Sequence, residues 1–330
     1  MFTTPSPEPN HGKRKGKGRK LRPLERLLMV DRRDRWLLEM LVAHAALTTG
    51  QATRLGYTPT VERAQQRLLK LAADGWIGRV ESDIDVEDTC WLLAPLAAQA
   101  YELDPLARTD PPPIPTDPLL ISTLRANDFF VDLATYARTH ASVDLRHWWS
   151  TAITHPLVSP DLTRTRYAEY IHHGRRINFW FEDDDETVSA ARFGARLLRY
   201  RDVLLRTGLS TVLVRLSTAE REIEFCRDLP RGLHALTIAT INPERASTDP
   251  QAWWVGGFWR RRALHELPEN NQPEFVWEYP KDGFPQDWER PPHPIYDERR
   301  PGEEAVADGD YSYLADSGPD PASTDGSPAA

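Results

Sequence analysis

The fold of the first part of the chain is decided by TTGQATRLGY at residues 48–57, followed by TPTVERAQQRLLKLAADGWIGRV at residues 58–80. Each stretch places helix-forming residues before a glycine, Gly56 in the first and Gly75 in the second. Glycine is common just past the end of a helix because it adopts the left-handed conformation without strain. Two helices joined by a tight turn are therefore predicted.

The first of these helices is short, and we expect Thr48 or Thr49 to cap it and Leu55 to end it. The second is predicted to begin at Pro59 with Thr58 as its cap, since proline suits the first helical position. Its residues divide between two faces at helical spacing. The predicted buried face carries Val61, Ala64, Leu68, Leu71 and Ala72, and the predicted exposed face carries Arg63, Gln66, Arg67 and Lys70.

That exposed face carries the donors that read base edges in duplex DNA. Arginine binds guanine O6 and N7 as a fork, and glutamine pairs with adenine N6 and N7. The major groove is wide enough to admit such a helix. An ordinary solvated helix face stays open as the alternative, because Arg, Gln and Lys are also good helix formers.

The flanking segments favour the DNA-reading interpretation. A helix is predicted from Asp31 to Ala46, and a hairpin is predicted from the strands at 76–80 and 89–93. Helix, helix, helix and hairpin is the order of a winged helix-turn-helix domain, which we assign to residues 24–103. The predicted wing tip, ESDIDVED at 81–88, is acidic and would be repelled by phosphate. We expect it to contact the basic arm or a protein partner instead.

Charge is unevenly distributed along the 330 residues. Of the 41 Lys and Arg and 49 Asp and Glu, residues 1–80 hold 16 and 7, an excess of +9, which leaves 25 and 42, or −17, for residues 81–330. A basic first quarter on an acidic chain indicates that this end meets phosphate. Residues 1–23 are predicted to be a disordered basic arm, either a solvated tail or a phosphate-binding one whose contacts would be Lys13, Arg14, Lys15, Lys17, Arg19 and Lys20.

Composition also marks the remaining boundaries. The proline-rich segment 104–118 is predicted to be a linker, and residues 289–330 an acidic disordered tail. The two cysteines form no CxxC pair, so neither a disulfide framework nor a cysteine zinc site is indicated. No apolar run reaches the roughly 20 residues of a membrane helix. We therefore expect a cytoplasmic protein with no membrane partner.

The middle of the chain, 119–288, has the pattern of an α/β domain. Its elements are predicted in the order helix, three strands, helix, strand, strand. The predicted ranges are 119–139 for the first helix, 143–148, 167–171 and 177–182 for the three strands, 188–206 for the second helix, and 211–216 and 236–241 for the last strands.

A series of segments makes the chain resemble a known family. In order they are DRRDRWLLEMLVAHAALTTGQATRL, RLLKLAADGWIGRV, NDFFVDLA, WWS, SPD, FWFEDDDET and RLLRYRDVLL. Together they resemble the replication-relaxation family of bacterial, in particular actinobacterial, plasmids and integrative elements, over roughly residues 30–225. The resemblance implies an α+β protein in which a winged helix-turn-helix precedes an α/β domain similar to PD-(D/E)XK nucleases.

The nuclease pattern implies a metal site on two neighbouring strands. In that pattern an Asp and a Glu hold a divalent metal and a Lys two residues after the Glu orients water. Asp161 and Glu182 stand at the positions of the metal ligands, and Asp184 at that of the lysine. The site therefore departs from the pattern, unless Arg196 on the next helix supplies the cation. We expect no cofactor, with Mg²⁺ implied only if this site is active.

Three functions follow as alternatives. The first is a sequence-specific duplex-DNA-binding accessory protein in plasmid or integrative-element replication, relaxation or mobilisation, and the resemblance adds a relaxase or replication protein as a further partner. The second is a metal-dependent DNA endonuclease or nickase. The third is a winged-helix transcriptional regulator. Double-stranded DNA is the predicted partner in each, and a homodimer is left open.

Overall fold

The computed structural model describes residues 21–80, 88–102, 117–155, 158, 162, 164–230, 232–233, 235–256 and 261–268. The structure does not describe residues 1–20 of the predicted basic arm, which include Lys13, Arg14, Lys15, Lys17, Arg19 and Lys20. The wing tip up to 87, most of the predicted linker and the predicted acidic tail also lie outside the described residues. Asp161 lies outside them as well.

The first part of the chain is helical with a small sheet. Its elements are α1 (Pro23–Leu27), α2 (Arg32–His44), β1 (Ala46–Thr48), α3 (Thr49–Arg54), α4 (Val61–Ala73), β2 (Ile77–Arg79), β3 (Cys90–Leu93) and α5 (Pro95–Glu102). The three strands form an antiparallel sheet in the order β1-β3-β2. The predicted order of three helices and a hairpin is therefore present, with a short strand between the first two helices.

Local hydrogen bonds explain where these helices begin and end. The Asp31 carboxylate caps α2 by accepting from the Arg33 N–H at 2.9 Å. Thr48 caps α3, as predicted, and accepts from the Gln51 N–H at 3.1 Å. Gly56 and Gly75 have φ of +89° and +82°, so both predicted helix ends are confirmed.

The start of α4 differs from the prediction. The helix begins at Val61 with Thr60 as its cap, and not at Pro59 with Thr58, because the Thr60 hydroxyl accepts from the Arg63 N–H while the Thr58 hydroxyl bonds the Thr60 carbonyl. Val61 therefore occupies the first helical turn and is 47% exposed. Its predicted burial is wrong, whereas Ala64, Leu68 and Leu71 are buried as predicted.

The second part builds a larger sheet. Its elements are α6 (Asp117–Thr139), β4 (Val143–Trp149), α7 (Thr151–Thr154), β5 (Arg166–His172), β6 (Arg175–Asp183), α8 (Ala190–Leu197), α9 (Tyr200–Thr207), β7 (Thr211–Arg215), α10 (Ala219–Arg227), β8 (Thr237–Ile241), β9 (Trp253–Val255) and β10 (Arg261–Arg262).

These strands form a mixed seven-stranded sheet in the order β10-β9-β8-β7-β6-β5-β4. The chain runs antiparallel through β4, β5 and β6, and β6, β7 and β8 are parallel to one another. The register of β4 with β5 shifts between Leu145 and His147, which marks a β-bulge in the strand at one end of the sheet.

The predicted single helix over 188–206 is two helices, α8 and α9. At their junction Leu198 and Arg199 donate to carbonyls three residues back, at 3.2 and 3.0 Å, and not four. This tighter turn breaks the helical period, so that α8 and α9 bury Phe193 and Tyr200 in the same core. Gly208, with φ of +69°, ends α9 as predicted.

Helices cover the two faces of the large sheet. On one face, Phe129 and Phe130 of α6 pack against Phe181 and Trp148, with the Phe129 and Phe181 rings stacked at 4.2 Å. On the other face, α8, α9 and α10 bury a separate cluster that includes Trp180. The molecule is thus a mixed α+β fold of helices around a large sheet.

Helix α6 also packs against the first part of the chain. The Asn127 side chain donates to the carbonyls of His44 and Ala46, at 3.2 and 2.8 Å. The Gln51 amide donates to the Leu124 carbonyl at 2.8 Å. One hydrophobic cluster runs from Leu27 to Leu267 and includes residues of both parts. Within the described residues, no helix is long and apolar enough to cross a lipid bilayer.

Candidate functional site

The outer face of α4 presents the predicted DNA-reading side chains to solvent. Arg63, Gln66 and Lys70 are exposed, while Ala64 and Leu68 on the opposite face are buried. The spacing of i, i+3 and i+7 places the three exposed side chains along one side of the helix. This face therefore combines a guanidinium, an amide and an ammonium group over two turns.

Arg67, the fourth predicted reader, is held by neighbours within the protein. Its guanidinium forms ion pairs with Asp31 and Asp34, and it lies over the Tyr57 ring at 5.9 Å. The Tyr57 hydroxyl donates to the same Asp34 carboxylate at 2.6 Å. Burial, together with the charge of Asp34, holds the pKa of Tyr57 well above its usual range. Arg67 thus ties α4 to the start of α2.

Hydrogen bonds hold the hairpin against the first turn of α3. Asp88 accepts from the Gly50 N–H at 2.5 Å, and the Thr49 N–H donates to the Thr89 carbonyl at 3.0 Å. The indole of Trp91 donates to the Thr49 hydroxyl, also at 3.0 Å. The last acid of the predicted wing tip therefore bonds α3, while the rest of that tip lies outside the described residues.

The predicted metal ligand Glu182 is buried at the end of β6, with 1% of its surface exposed. The hydroxyls of Tyr200 and Thr165 donate to its Oε1 at 2.6 and 2.7 Å, and Arg196 Nη2 donates to its Oε2 at 3.1 Å. Burial and the neighbouring carboxylate raise the pKa of Tyr200 well above its usual value, so this phenol stays a donor. Both oxygens of Glu182 consequently have partners within the protein.

The three aspartates that follow Glu182 are also paired with cations. Arg215 Nε donates to Asp183 at 2.7 Å, and Asp185 forms an ion pair with Arg164. Arg221 grips Asp184, the residue at the predicted lysine position, through two donors at 2.7 and 3.2 Å. The arginines come from four different segments of the chain: Arg164, Arg196, Arg215 and Arg221.

A buried arginine adds to the positive charge beside this run. Arg166 at the start of β5 is 6% exposed, and desolvation lowers its pKa to about 10 despite the nearby charges of Asp183 and Glu182. The run of acids is thus embedded among guanidinium groups. Among the described residues, no group of three or more His, Cys, Asp or Glu side chains is arranged to hold a metal ion.

Arg196, predicted as a substitute cation, lies against Glu182. Not predicted were Asp31 and Asp34 as partners of Arg67, or Arg164, Arg215 and Arg221 as partners of the acids. The available signal was indirect: five successive acids at a strand end require nearby cations where they are buried. Nothing in the sequence says which of the arginines supply them.

A model of the replication-relaxation family matches residues 38–212. No curated protein and no solved structure matches the chain. The matched range begins within α2 and ends within β7, so it spans α4 and the acidic run.

Proposed function

Because the chain belongs to the replication-relaxation family, we propose that it binds duplex DNA sequence-specifically and acts as an accessory protein in the replication, relaxation or mobilisation of a plasmid or integrative element. The observation that carries the proposal is the solvent-facing row of Arg63, Gln66 and Lys70 on α4. The order of α2, β1, α3, α4, β2 and β3 supports it, since this is the order of a winged helix-turn-helix domain.

In this proposal α4 enters the major groove. Arg63 lies in the first turn of α4, and recognition helices read base edges with N-terminal residues. We assign guanine O6 and N7 to its guanidinium and adenine N6 and N7 to Gln66. Lys70, one turn further along, binds a phosphate oxygen as a point charge.

Arg67 has a different role in the proposal. Its contacts with Asp31, Asp34 and Tyr57 would have to break before it could reach a base. We therefore infer that Arg67 positions α4 against α2, and that it adds positive potential without reading sequence. The cationic residues of the segment before α1 are proposed as additional phosphate contacts, consistent with the +9 excess over residues 1–80.

The second part supports an accessory role over a catalytic one. The sequence of α6, β4, β5, β6, α8–α9 and β7 follows the helix, three-strand, helix, strand order expected of a PD-(D/E)XK-like domain. In an active site of that kind, a carboxylate oxygen must be available to a metal ion. Both oxygens of Glu182 instead accept hydrogen bonds from Tyr200, Thr165 and Arg196.

Binding is tested with the full-length chain and fluorescently labelled duplexes, by anisotropy at several salt concentrations. We expect affinity to fall steeply with salt, because bound phosphates release counterions. Arg63→Ala with Gln66→Ala should lower specific affinity by roughly 10-fold or more. The matched control is Arg192→Ala on the exposed side of α8, which should bind like the unaltered protein. Unchanged binding by the double variant would remove α4 from the proposal.

The other two functions are separated by two further measurements. Supercoiled plasmid incubated with Mg²⁺ or Mn²⁺ should stay supercoiled, and nicking that disappears in Glu182→Gln would establish a nickase instead. Mapping of bound DNA in cells that carry the element should give a peak at an origin of replication or transfer. Peaks at promoters alone, without an effect on copy number or transfer, would identify a regulator.

A further inference from the structure

A small cleft lies between α6 and the carboxyl ends of β7 and β8. It encloses about 230 Å³, and guanidinium groups from three separate segments line it. Arg125 comes from α6, Arg215 ends β7, and Arg245 follows β8. Carboxyl ends of parallel strands are a common place for ligand sites in α/β sheets.

This cleft is separate from the acidic run's Glu182 site. Leu213 and Ile241 belong to the hydrophobic cluster under α6, whereas Val212 and Val214 pack with α8 and α9. Alternate residues of a strand point to opposite faces, so Arg215 lies on the α6 face with Leu213. Glu182 bonds Arg196 on the opposite face. The cleft is therefore on the opposite face of the sheet from Glu182, although Arg125 and Arg215 both form ion pairs with Asp183 of the acidic run, at 3.6 and 2.7 Å.

Two buried donors of the cleft have no hydrogen-bond partner among the described residues. Arg215 bonds Asp183 through Nε, while its Nη2 is buried and unpaired. Ser247 is 6% exposed, and its Oγ is likewise buried and unpaired. A buried unsatisfied polar group costs about 1–3 kcal/mol, so a ligand that paired with Arg215 Nη2 and Ser247 Oγ would recover that cost. Both donors would be satisfied by an anionic acceptor in the cleft.

Two acidic side chains also line the cleft. Asp128 and Asp132 of α6 line it, and both form ion pairs with Arg54 of α3. Burial raises the pKa of Asp132, although the Arg54 charge opposes this shift. These carboxylates are half-exposed and retain acceptor capacity for hydroxyl or amino groups. The cleft thus offers guanidinium groups to an anion and carboxylates to neutral donors.

We propose that this cleft binds a compact phosphate monoester, with the phosphate between Arg125, Arg215 and Arg245. Ser247 donates to a phosphate oxygen, and sugar hydroxyls donate to Asp128 and Asp132. The volume lies below the roughly 300–1,000 Å³ of pockets for drug-sized ligands, which matches a phosphate with one sugar ring and excludes a dinucleotide. The phosphate can belong to a free sugar phosphate or to the 5′ end of a DNA strand. The site does not depend on the duplex-binding role of α4.

The test is calorimetric titration of the full-length chain. The probes are inorganic phosphate, deoxyribose 5-phosphate, deoxyribose, and a short single-stranded oligonucleotide with and without a 5′-phosphate. We expect deoxyribose 5-phosphate to bind with 1:1 stoichiometry and deoxyribose to give no heat of binding. Tighter binding of the 5′-phosphorylated oligonucleotide than of the sugar phosphate would identify a strand end as the ligand. Equal or weaker binding would identify a free monoester.

Three variants locate the binding. Arg125→Gln and Arg245→Gln, both at least partly exposed, should each weaken deoxyribose 5-phosphate binding by about 10-fold or more, because a hydrogen bond to a charged group is lost. Ser247→Ala should weaken it by roughly 3- to 10-fold. Arg206→Gln on the exposed side of α9 is the matched control and should bind normally.

Two results would overturn the proposal: no binding of any phosphorylated probe, or unchanged affinity in both arginine variants. Arg63→Ala with Gln66→Ala should retain deoxyribose 5-phosphate binding, and Arg245→Gln should retain duplex binding. Loss of sugar phosphate binding in the α4 variant would place the site on the duplex-binding face and so refute the cleft. A failure of duplex binding alone would leave the cleft result standing.

Discussion

At the scale of single residues, the two arginines one turn apart on α4 have different surroundings. Arg63 is exposed, whereas Arg67 contacts two carboxylates and an aromatic ring. A cation over a ring and two charge-assisted hydrogen bonds hold a side chain in one orientation. The rest of the protein therefore holds Arg67 in place and leaves Arg63, one turn earlier, exposed to solvent.

Replacing Arg67 should lower stability more than replacing Lys70, which lies on the exposed face of the same helix. Arg67→Ala removes the partner of Asp34, and we expect it to lower the free energy of unfolding by about 1–3 kcal/mol. Lys70→Ala, on the exposed face, should change it by less than about 0.5 kcal/mol. Urea denaturation of both variants measures the difference. Equal unfolding midpoints would show that the Asp34 network contributes nothing to stability.

Glu182 is the acid whose loss should be most costly. Glu182→Ala leaves Arg196 without its ion-pair partner and the Tyr200 and Thr165 hydroxyls without their acceptor, and breaking a buried pair in this way costs about 3–5 kcal/mol. Glu224→Ala, at an exposed position of α10, is the control and should cost less than about 0.5 kcal/mol. Denaturant titration followed by tryptophan fluorescence compares the two. A small effect of Glu182→Ala would mean that the pair is solvated in solution.

His172 gives the stability a pH dependence. Burial, followed by the charges of His265, His173, His140 and Arg175, lowers its pKa below the ordinary value of 6.5. The unfolded chain therefore takes up this proton at a higher pH than the folded chain does. Stability is present above pH 6.5 and is lost as the pH falls through 6.5 toward the folded-state pKa.

A matched variant isolates this contribution. His265 stacks on His172 at 4.0 Å, and His265→Gln removes one of the neighbouring charges. We expect the loss of melting temperature between pH 7.5 and pH 5.5 to be smaller in His265→Gln than in the unaltered protein. A larger or equal loss would exclude the histidine group as its source.

At the scale of elements, the turn between α3 and α4 depends on one glycine. Gly56 has φ of +89°, and a Cβ there would lie within 2.6 Å of the Arg138 guanidinium. Arg138 of α6 in turn donates to the Arg54 carbonyl at 2.8 Å. The turn is thus fixed both by its backbone conformation and by a side chain from another helix.

Two alanine substitutions separate these causes. Gly174 also has a positive φ, of +81°, but a Cβ there meets nothing within 4 Å. Gly174→Ala should cost about 1–2 kcal/mol from the backbone conformation alone. Gly56→Ala should cost more by up to about 1 kcal/mol, because the exposed Arg138 guanidinium must move and give up its hydrogen bond to the Arg54 carbonyl. Thermal denaturation gives both values, and equal costs would show that Arg138 relaxes freely.

Elements with a strong local signal could be predicted from the sequence, and those set by distant contacts could not. Thr48, Gly56, Gly75 and Gly208 mark helix ends through their own chemistry. The break between α8 and α9 has no such marker, since both halves have helix-forming residues and the shared core sets the angle. The start of α4 was predicted two residues too early because Thr58 and Thr60 can both cap a helix, and the structure uses Thr60.

At the scale of the whole molecule, α6 joins the two parts that the sequence presented as separate domains. Proline-rich composition at 104–118 predicted a linker, but composition does not report what packs on either side of it. Asn127, Gln51 and Arg54 make contacts across more than 70 positions of sequence. The arginines of the cleft were beyond prediction for the same reason, since α6, β7 and the segment after β8 meet only in the fold.

This shared packing should make unfolding cooperative. Because one hydrophobic cluster includes residues of α2, α6 and β6, we expect far-UV and near-UV circular dichroism to report a single thermal transition with the same midpoint. Arg54→Ala should lower that midpoint without splitting it. Two resolved transitions would show that the parts unfold independently despite their contacts.

The bulge in β4 has a consequence for how the molecule behaves in a crowded solution. A straight strand at the edge of a sheet offers a row of unpaired amides and carbonyls with which a strand of another chain can form hydrogen bonds. The register shift between Leu145 and His147 interrupts that row, and the charged Arg146, between them, is half-exposed. Edge-to-edge pairing with the sheet of a neighbouring copy is thereby disfavoured at β4, which lowers the tendency of this large sheet to form fibrous aggregates.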